Sequence, residues 1–428
     1  MSSVSVTATS ASISAGQTVQ LIATATFSDG TTQAVTALAT WQSSNPSIVA
    51  VSASGVLTAI ATGEADISAT YRSVVGTFRV RVTSPIPQAT LQLHFLNVDQ
   101  GDAAVLVSDR GETILFDDGV SGSCTAVVNY LRQLGLARID YHIASHYHAD
   151  HIGCASAVFS AFPLSIAGLD RGGSYTSQTF STYVATIGGR RQTVAPGMTV
   201  TLDGGTAAPV SINVIASNAD GLNTDDENAL SVVAVVRFGN FHAVLGGDLT
   251  GSSSGGGIDV ESRVAGRVGA VEVYKVHHHG SRYSSNASWL AATTPLVGIV
   301  SVGAGNSYGH PHQESMDRLH AAGVHTYWTT TGRGVLPMGG LDTVAGTVVV
   351  EAQAGSSSFA VRYGSATDTY QTWEHWSGLP NWGVASGDTQ ASGNDESTSA
   401  HSAVGFRRSP RSLRSLSPGQ DATTIRRR

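Results

Sequence analysis

The chain has 428 residues, 41% of them hydrophobic and only 13% charged, with 48 glycines and a formal net charge of −7. That length suits two or three domains, and the negative balance excludes a global attraction to nucleic acid, leaving only local contacts. No run of eighteen apolar residues occurs, which excludes a membrane-spanning helix, and low charge with abundant small residues is the composition of β-rich exported bacterial proteins. The N-terminus lacks a basic and then apolar leader, so an exported protein would carry its signal outside this sequence.

Residues 3 to 82 alternate apolar and small polar residues in short runs. Val4-Ser-Val, Val19 to Ala25, Ile48 to Val51, Gly55 to Ala59, Ala65 to Ala69 and Phe78 to Val82 read as strands, with turns at Ser28-Asp-Gly, Asn45-Pro and Thr62-Gly. Many short strands at this spacing predict an all-β sandwich over 1–83, and Ser84-Pro-Ile-Pro opens a linker over 84–89.

A second domain is expected over 90–370. Leu91–Leu96, Ala103–Val107 and Glu112–Phe116 read as strands, the last ending at Asp117-Asp118-Gly119. Thr125–Leu134 has Val127, Val128, Leu131 and Leu134 on one helical face, and Gly135 stops it. Strand Ile139–Ala144 precedes a helix over Ile152–Phe159, whereas 165–225 is Gly/Ser/Thr-rich and its elements are not legible. Ala229–Phe238 and Phe241–Leu245 form a hairpin around Gly239-Asn240, followed by Gly246-Gly247-Asp248 and a flexible loop over Gly251–Gly257. Strands Val271–Val276 and Val297–Val302 alternate with helices Ala287–Thr293 and Gln313–Ala322, and strands Thr347–Glu351 and Phe359–Tyr363 close the domain. Residues 371–428 lack a core-forming composition and read as a mostly disordered tail. Seven arginines from Arg407 onward face a single acid there, Asp421. Cys124 and Cys154 each open a helical pattern after a loop, and form either a disulfide or two buried thiols.

Polar clusters stand after these apolar strands, at Asp117, His146 to His151, Asp248, His277 to His279 and His310/His312. They hold eight of the chain's fifteen histidines. Strand ends gathered at one sheet edge are where α/β-type folds build sites. The stretch Ser145-His-Tyr-His-Ala-Asp-His-Ile-Gly153 places His146, His148, Asp150 and His151 within six residues. Imidazole nitrogen and carboxylate oxygen are ligands for Zn, Mn and Fe. Four neighbours cannot all reach one tetrahedral ion, so two ions fit better, one at His146/His148 and one at Asp150/His151. Two ions about 3.5–4 Å apart acidify water and neutralise the attacking and leaving oxygens of a hydrolysis. No Ser-His-Asp or Cys-His pattern competes.

Trp41-Gln-Ser-Ser-Asn-Pro-Ser-Ile-Val-Ala-Val-Ser, Gly55-Val-Leu-Thr-Ala and Thr62-Gly-Glu-Ala-Asp-Ile resemble the bacterial Ig-like group 2 family. That implies a spacer or adhesive module which binds a cell surface or polysaccharide, on an extracellular or surface protein. His146-x-His-x-Asp-His151 with Gly153 and Gly247-Asp248 resembles the metallo-β-lactamase-fold hydrolases. Phe95-Leu-Asn-Val-Asp-Gln-Gly-Asp102, Lys275-Val-His-His-His-Gly-Ser281 and Tyr308-Gly-His-Pro-His312 narrow this to the hydrolase domain of the competence DNA-uptake (ComEC-type) family.

The resemblance implies an αββα sandwich that binds Zn, as one ion or two, with Mn as the alternative. His146 and His148 would hold one ion, Asp150 and His151 the other, with Asp248 bridging. His310, or His312 in its place, would complete the second site. His279, or His278 in its place, would contact a substrate phosphate or the leaving oxygen, so that Asp150, His279 and His278 stand closest to the reaction. Asp117 and Asp102 would orient ligand histidines through their other ring nitrogens. The fold's usual third histidine has no counterpart between His151 and His242, and Asn228 lies where the competence-type pattern places asparagine. Position 97 is asparagine where that family has aspartate, and His277 stands where proline is usual. The function implied is a metal-dependent phosphodiesterase or nuclease. The alternatives are a metallohydrolase of esters, lactones or lactams, and a surface-binding protein with a vestigial hydrolase domain.

Overall fold

The computed structural model describes residues 1–83, 89–254 and 257–373. The expected linker lies almost wholly outside the described residues, as does the expected tail from 374. Two compact units divide at Gln88/Ala89.

In the first unit, short strands form sheets around Leu21, Ala23, Val49, Leu57, Ile67, Ala69 and Val80, all fully buried. The run expected as one strand over 19–25 is two, Thr18–Gln20 and Ile22–Thr26. They pair in different sheets because Leu21 sinks into the core between them and its N–H bonds to Gly55.

The second unit is built on two sheets. The first orders Arg191–Thr193, Leu164–Asp170, Ile139–Ile143, Thr113–Asp118, Ala103–Val107, Thr90–Phe95, Val348–Gln353, Ser358–Tyr363 and Ala366–Gln371. The second orders Thr199–Leu202, Val210–Ala216, Val233–Phe238, Phe241–Leu245, Val273–Lys275, Val297–Val300, His325–Trp328 and Asp342–Val344. Side chains alternate across each strand, and here both faces are covered. Ala104 and Leu106 meet Ala234, Val236 and Phe238 in the core between the sheets. Ala103 and Val105 pack outward on Val127 and Leu131 of helix Cys124–Gln133, Val158 of helix Ala155–Ala161 and Tyr183 of helix Gln178–Ile187. Val233 and Val235 pack outward on Trp289 and Leu290 of helix Ala287–Thr293 and on Met316 and Leu319 of helix Gln313–Ala321. Helix, sheet, sheet, helix is the expected four-layer sandwich. Each such aliphatic side chain stabilises it by about 1.5–3 kcal/mol on burial.

Three local readings change. The helix expected from Ile152 begins at Ala155, because Ile152 bridges to Gly119 and Gly153 donates to the Gly119 carbonyl. The segment 165–225 contributes strands to both sheets and the helix Gln178–Ile187, capped by Ser177 accepting from the Phe180 N–H. Gln371, expected to begin the disordered tail, ends an edge strand, and Thr372 is buried with its N–H on the Ser357 carbonyl. Among the described residues no helix is long and apolar enough to cross a membrane.

Candidate metal centre

The middle strands of both sheets end at one place. Thr113–Asp118 delivers Asp117, Ile139–Ile143 runs into His146 to His151, Phe241–Leu245 leads to Asp248, and Val273–Lys275 leads to His277 to His279. Gly101 carries Asp102 across this edge. Its φ of +145° suits glycine, and a Cβ there would collide with the Asp150 carbonyl.

Three overlapping groups of ligand atoms form among the described residues, in each of which the atoms lie within 4.8 Å of one another: His146, His148 and Asp248; Asp150, His151 and His279; and Asp102, His151 and Asp248. Asp248 turns one oxygen to each of the first two. Its Oδ2 is 3.9 Å from His146 Nε2, and its Oδ1 is 3.3 Å from His151 Nε2 and 3.5 Å from His279 Nε2. Asp150 Oδ2 is 3.3 Å from His279 Nε2 and 3.9 Å from His151 Nε2. His151 Nε2, His279 Nε2 and Asp248 Oδ1 are all buried without a hydrogen-bond partner. Orphaned polar atoms are costly in a protein interior, and three of them converging on one point fit a cation.

The far side of each ring is held. His151 Nδ1 donates to Asp117 Oδ2 at 2.8 Å, and both Asp117 oxygens also accept from Ser145. His279 Nδ1 donates to the Ser301 carbonyl at 2.8 Å, and His146 Nδ1 lies 3.0 Å from Ser145 Oγ. These contacts aim each Nε2 into the centre. Asp102 Oδ1 pairs with the buried Lys275 ammonium at 2.8 Å and stands 3.5 Å from His279 Nδ1, while its Oδ2 is 4.0 Å from His151 Nδ1.

Charge makes the same point. Four carboxylates, Asp102, Asp117, Asp150 and Asp248, surround the centre, and the one lysine or arginine paired with any of them among the described residues is Lys275. Burial works to raise the Asp248 carboxyl, but His279, His151 and His278 outweigh it and hold it well below its usual range. Burial likewise works against charge on His151, yet Asp248, Asp150 and Asp117 push its pKa well above the ordinary value. His146 moves the other way, well down, through burial and then the neighbouring His151.

The three consecutive histidines part company. His277 turns under the site, Nδ1 2.7 Å from buried Glu261, against Trp289. His278 stands at the mouth, Nε2 3.7 Å from Asp248 Oδ2. His279, expected to touch substrate, sits instead among the acids. His310 and His312, expected to complete the second half, join none of these groups. The His310 ring lies against Tyr308 and His278, with Nδ1 3.5 Å from the Gln100 amide, and burial lowers its pKa to about 3. His312 Nδ1 accepts from the Arg282 N–H. Asn228 lies one residue after Glu227, which accepts the Tyr147 N–H between His146 and His148, and the Asn228 Oδ1 is buried without a partner.

Four participants carried no sequence signal of their own. Ser145 links Asp117 to His146, Glu261 anchors His277, Ser301 aims His279, and Glu227 ties the Tyr147 backbone to Arg171 at 2.7 Å. Cys124 and Cys154, left open by sequence, are joined in a disulfide. It closes the strip where Cys154 N–H donates to Asp118 and Asp118 N–H donates to the His151 carbonyl.

Residues 1–83 match the bacterial Ig-like domain (group 2), and residues 96–304 match the metallo-beta-lactamase superfamily. Recombination protein 2 of Haemophilus influenzae is 28% identical over 248 residues, covering 57% of this chain and 28% of that protein. Competence protein ComA of Neisseria gonorrhoeae is 27% identical over 243 residues, covering 56% and 31%. The chain thus spans less than a third of the length of these curated relatives. Among solved structures, the metallo-beta-lactamase fold protein YhfI of Bacillus subtilis aligns with a TM-score of 0.36 and 11% identity, covering 58% of this chain and 99% of that one. The chain joins a bacterial Ig-like domain (group 2) to a hydrolase domain of the metallo-beta-lactamase superfamily, related to competence proteins.

Proposed function

We propose that the second domain is a metal-dependent phosphodiesterase or nuclease. The observation that carries this reading is the convergence of Asp150, His151, His279 and the divided carboxylate of Asp248 at one edge of the sandwich. His146, His148 and Asp248 would hold one divalent ion, Zn or Mn, and Asp150, His151, His279 and Asp248 the other. An ion there supplies positive charge that acidifies water and neutralises oxygens on which negative charge develops. With a cation in place, Asp117 and the Ser301 carbonyl would take the Nδ1 protons of His151 and His279 and leave each Nε2 to the ion. His278, at the mouth with Nε2 turned toward Asp248, is placed to meet a substrate oxygen.

The phosphodiester preference is supported by relatives named for competence and recombination, and by a rim of His278, His312 and Arg282. These groups donate hydrogen bonds or charge to phosphate oxygens. The disulfide supports a working place outside the reducing cytoplasm, where the Ig-like domain would hold the enzyme to a surface or polysaccharide.

One panel tests the reading: metal content, then turnover of single-stranded DNA, duplex DNA, a bis-aryl phosphodiester, a lactone and a lactam, with wild type and Asp248→Ala side by side. Metal-dependent phosphodiester cleavage that vanishes in the variant is expected. Turnover confined to the lactone or lactam would replace the phosphodiester reading, and an unchanged rate in the variant would place the chemistry elsewhere.

A further inference from the structure

Among the described residues, aromatic side chains are buried or partly buried with two exceptions. The chain has 11 phenylalanines, 12 tyrosines and 6 tryptophans, and among the described residues the exposed ones are Tyr308, 65% exposed, and Tyr283, 41% exposed. Both stand in the segments that carry the partly exposed His278 and His312, His277 to Tyr283 and Tyr308 to His312. Having the two most exposed aromatics in these two segments is unlike the scattered apolar residues of an ordinary surface.

Their surroundings form a continuous path to the centre. The Tyr308 ring lies nearly parallel to His310, at 21° with centroids 5.6 Å apart. His310 meets His278 at 5.4 Å, and His278 Nε2 is 3.7 Å from Asp248. On the other side His310 meets His312 at 4.9 Å, and His312 accepts from the N–H of Arg282, the neighbour of Tyr283. The Arg282 guanidinium is half exposed and touches Glu314 at 3.3 Å. An exposed ion pair of this kind is weak and exchanges readily for another anion.

The Tyr308 loop is fixed before any ligand arrives. Asn306 Nδ2 donates to the Gly303 and His310 carbonyls, its Oδ1 accepts the His310 N–H, and Arg333 Nη1 donates to the Asn306 carbonyl. A platform held this way loses little freedom on binding. Flat aromatic faces beside a cation, spaced along a groove, are how proteins hold unpaired nucleic-acid strands.

We propose that Tyr308 and Tyr283 are stacking platforms for the bases of a single strand whose phosphodiester lies at the centre, with Arg282 leaving Glu314 for a backbone phosphate. This rests on the phosphodiester reading and narrows it to unpaired strands. A base in a duplex keeps its face against its neighbours and cannot lie on Tyr308.

The test compares Tyr308→Ala, Tyr283→Ala and the double variant with Tyr308→Trp, all loaded with the same metal. On a single-stranded oligothymidylate each alanine variant should raise KM by roughly tenfold, the usual worth of one stacked base, while the tryptophan variant stays within about twofold of wild type. Turnover of a bis-aryl phosphodiester should remain within about twofold in all of them. Unchanged KM for the oligonucleotide in the double variant overturns the proposal, as does equal use of duplex. If wild type cleaves no phosphodiester, the functional reading fails and the platforms are judged by binding alone. Fluorescence anisotropy with a labelled oligothymidylate should then show binding that the double variant loses. Absence of binding, or preference for an unlabelled oligosaccharide competitor, overturns it.

Discussion

Replacing His279 or His310 by alanine separates two ways of completing the second half of the centre. His279 Nε2 lies 3.3 Å from Asp150 Oδ2 and 3.5 Å from Asp248 Oδ1, buried and without a hydrogen-bond partner, while its Nδ1 is fixed on Ser301. Its removal leaves one ring nitrogen, His151 Nε2, beside two carboxylates. Losing a group that only orients a ligand costs about 10–100-fold in metal affinity, so losing the ligand should cost more than about 100-fold. That corresponds to at least about 2.8 kcal/mol. His310 faces Gln100, Tyr308 and His278, and its alanine variant should lose less than about tenfold, the lower end for an orienting group. Zinc would be titrated into metal-free protein against a chromophoric chelator at pH 7.5, with near-ultraviolet circular dichroism to confirm the fold. His279→Gln serves as a variant of similar volume. Loss of the second step of zinc uptake in His310→Ala, with both steps intact in His279→Ala, would refute this placement.

Asp117→Asn should lower metal affinity about 10–100-fold without unfolding the domain, because an amide cannot accept from His151 and both Ser145 donors as the carboxylate does. Equilibrium dialysis against zinc measures it. Cys124→Ser with Cys154→Ser opens a bond between residues 30 apart, a loop whose closure contributes about 3–4 kcal/mol. The variant's Tm should fall, and reductant should lower the wild-type Tm equally while leaving the variant's unchanged. His94 is buried beside Tyr130, and burial lowers its pKa from 6.5 to about 4. Between these values the unfolded chain binds the proton and the folded chain does not, so stability is full above pH 6.5 and falls as pH drops toward 4. The loss attached to this group is about 3 kcal/mol. Urea midpoints at pH 7.5 and 4.5 should therefore differ less in His94→Gln than in wild type.

His146 to His151 stand out in the sequence as known ligand types at close spacing after an apolar strand, and Asp248 as a carboxylate after another, and the structure brings them together. The second unit's strands were legible as apolar runs, but its four layers came from the resemblance of its motifs to a known family and not from the pattern itself. The His277-His-His279 run was not legible. His278 and His279 take left-handed backbone conformations, φ 50° and 53°, so neither strand nor helix periodicity says which ring turns inward. The resemblance sets His279 beside the substrate and His310 beside the metal, whereas the structure groups His279 with Asp150 and His151. The stretch 165–225 was illegible for a different reason. Its elements are anchored by buried pairs, Arg171 to Glu227 and Arg191 to Asp170 with Tyr183, whose partners lie too far along the chain for local pattern to reveal. The cysteines needed the Asp118 contacts with His151 and Cys154 to bring them together.

The centre is divided between two sheets. Asp117 and His146 to His151 come from one, and Asp248 and His279 from the other, with the whole of 152–247 between. Neither sheet alone assembles any of the ligand groups, so the site is among the last features to form, after the long loops have closed and the sheets have docked. Zinc uptake during refolding should therefore lag behind the return of secondary structure. It gives a direct clock for the docking of the two halves.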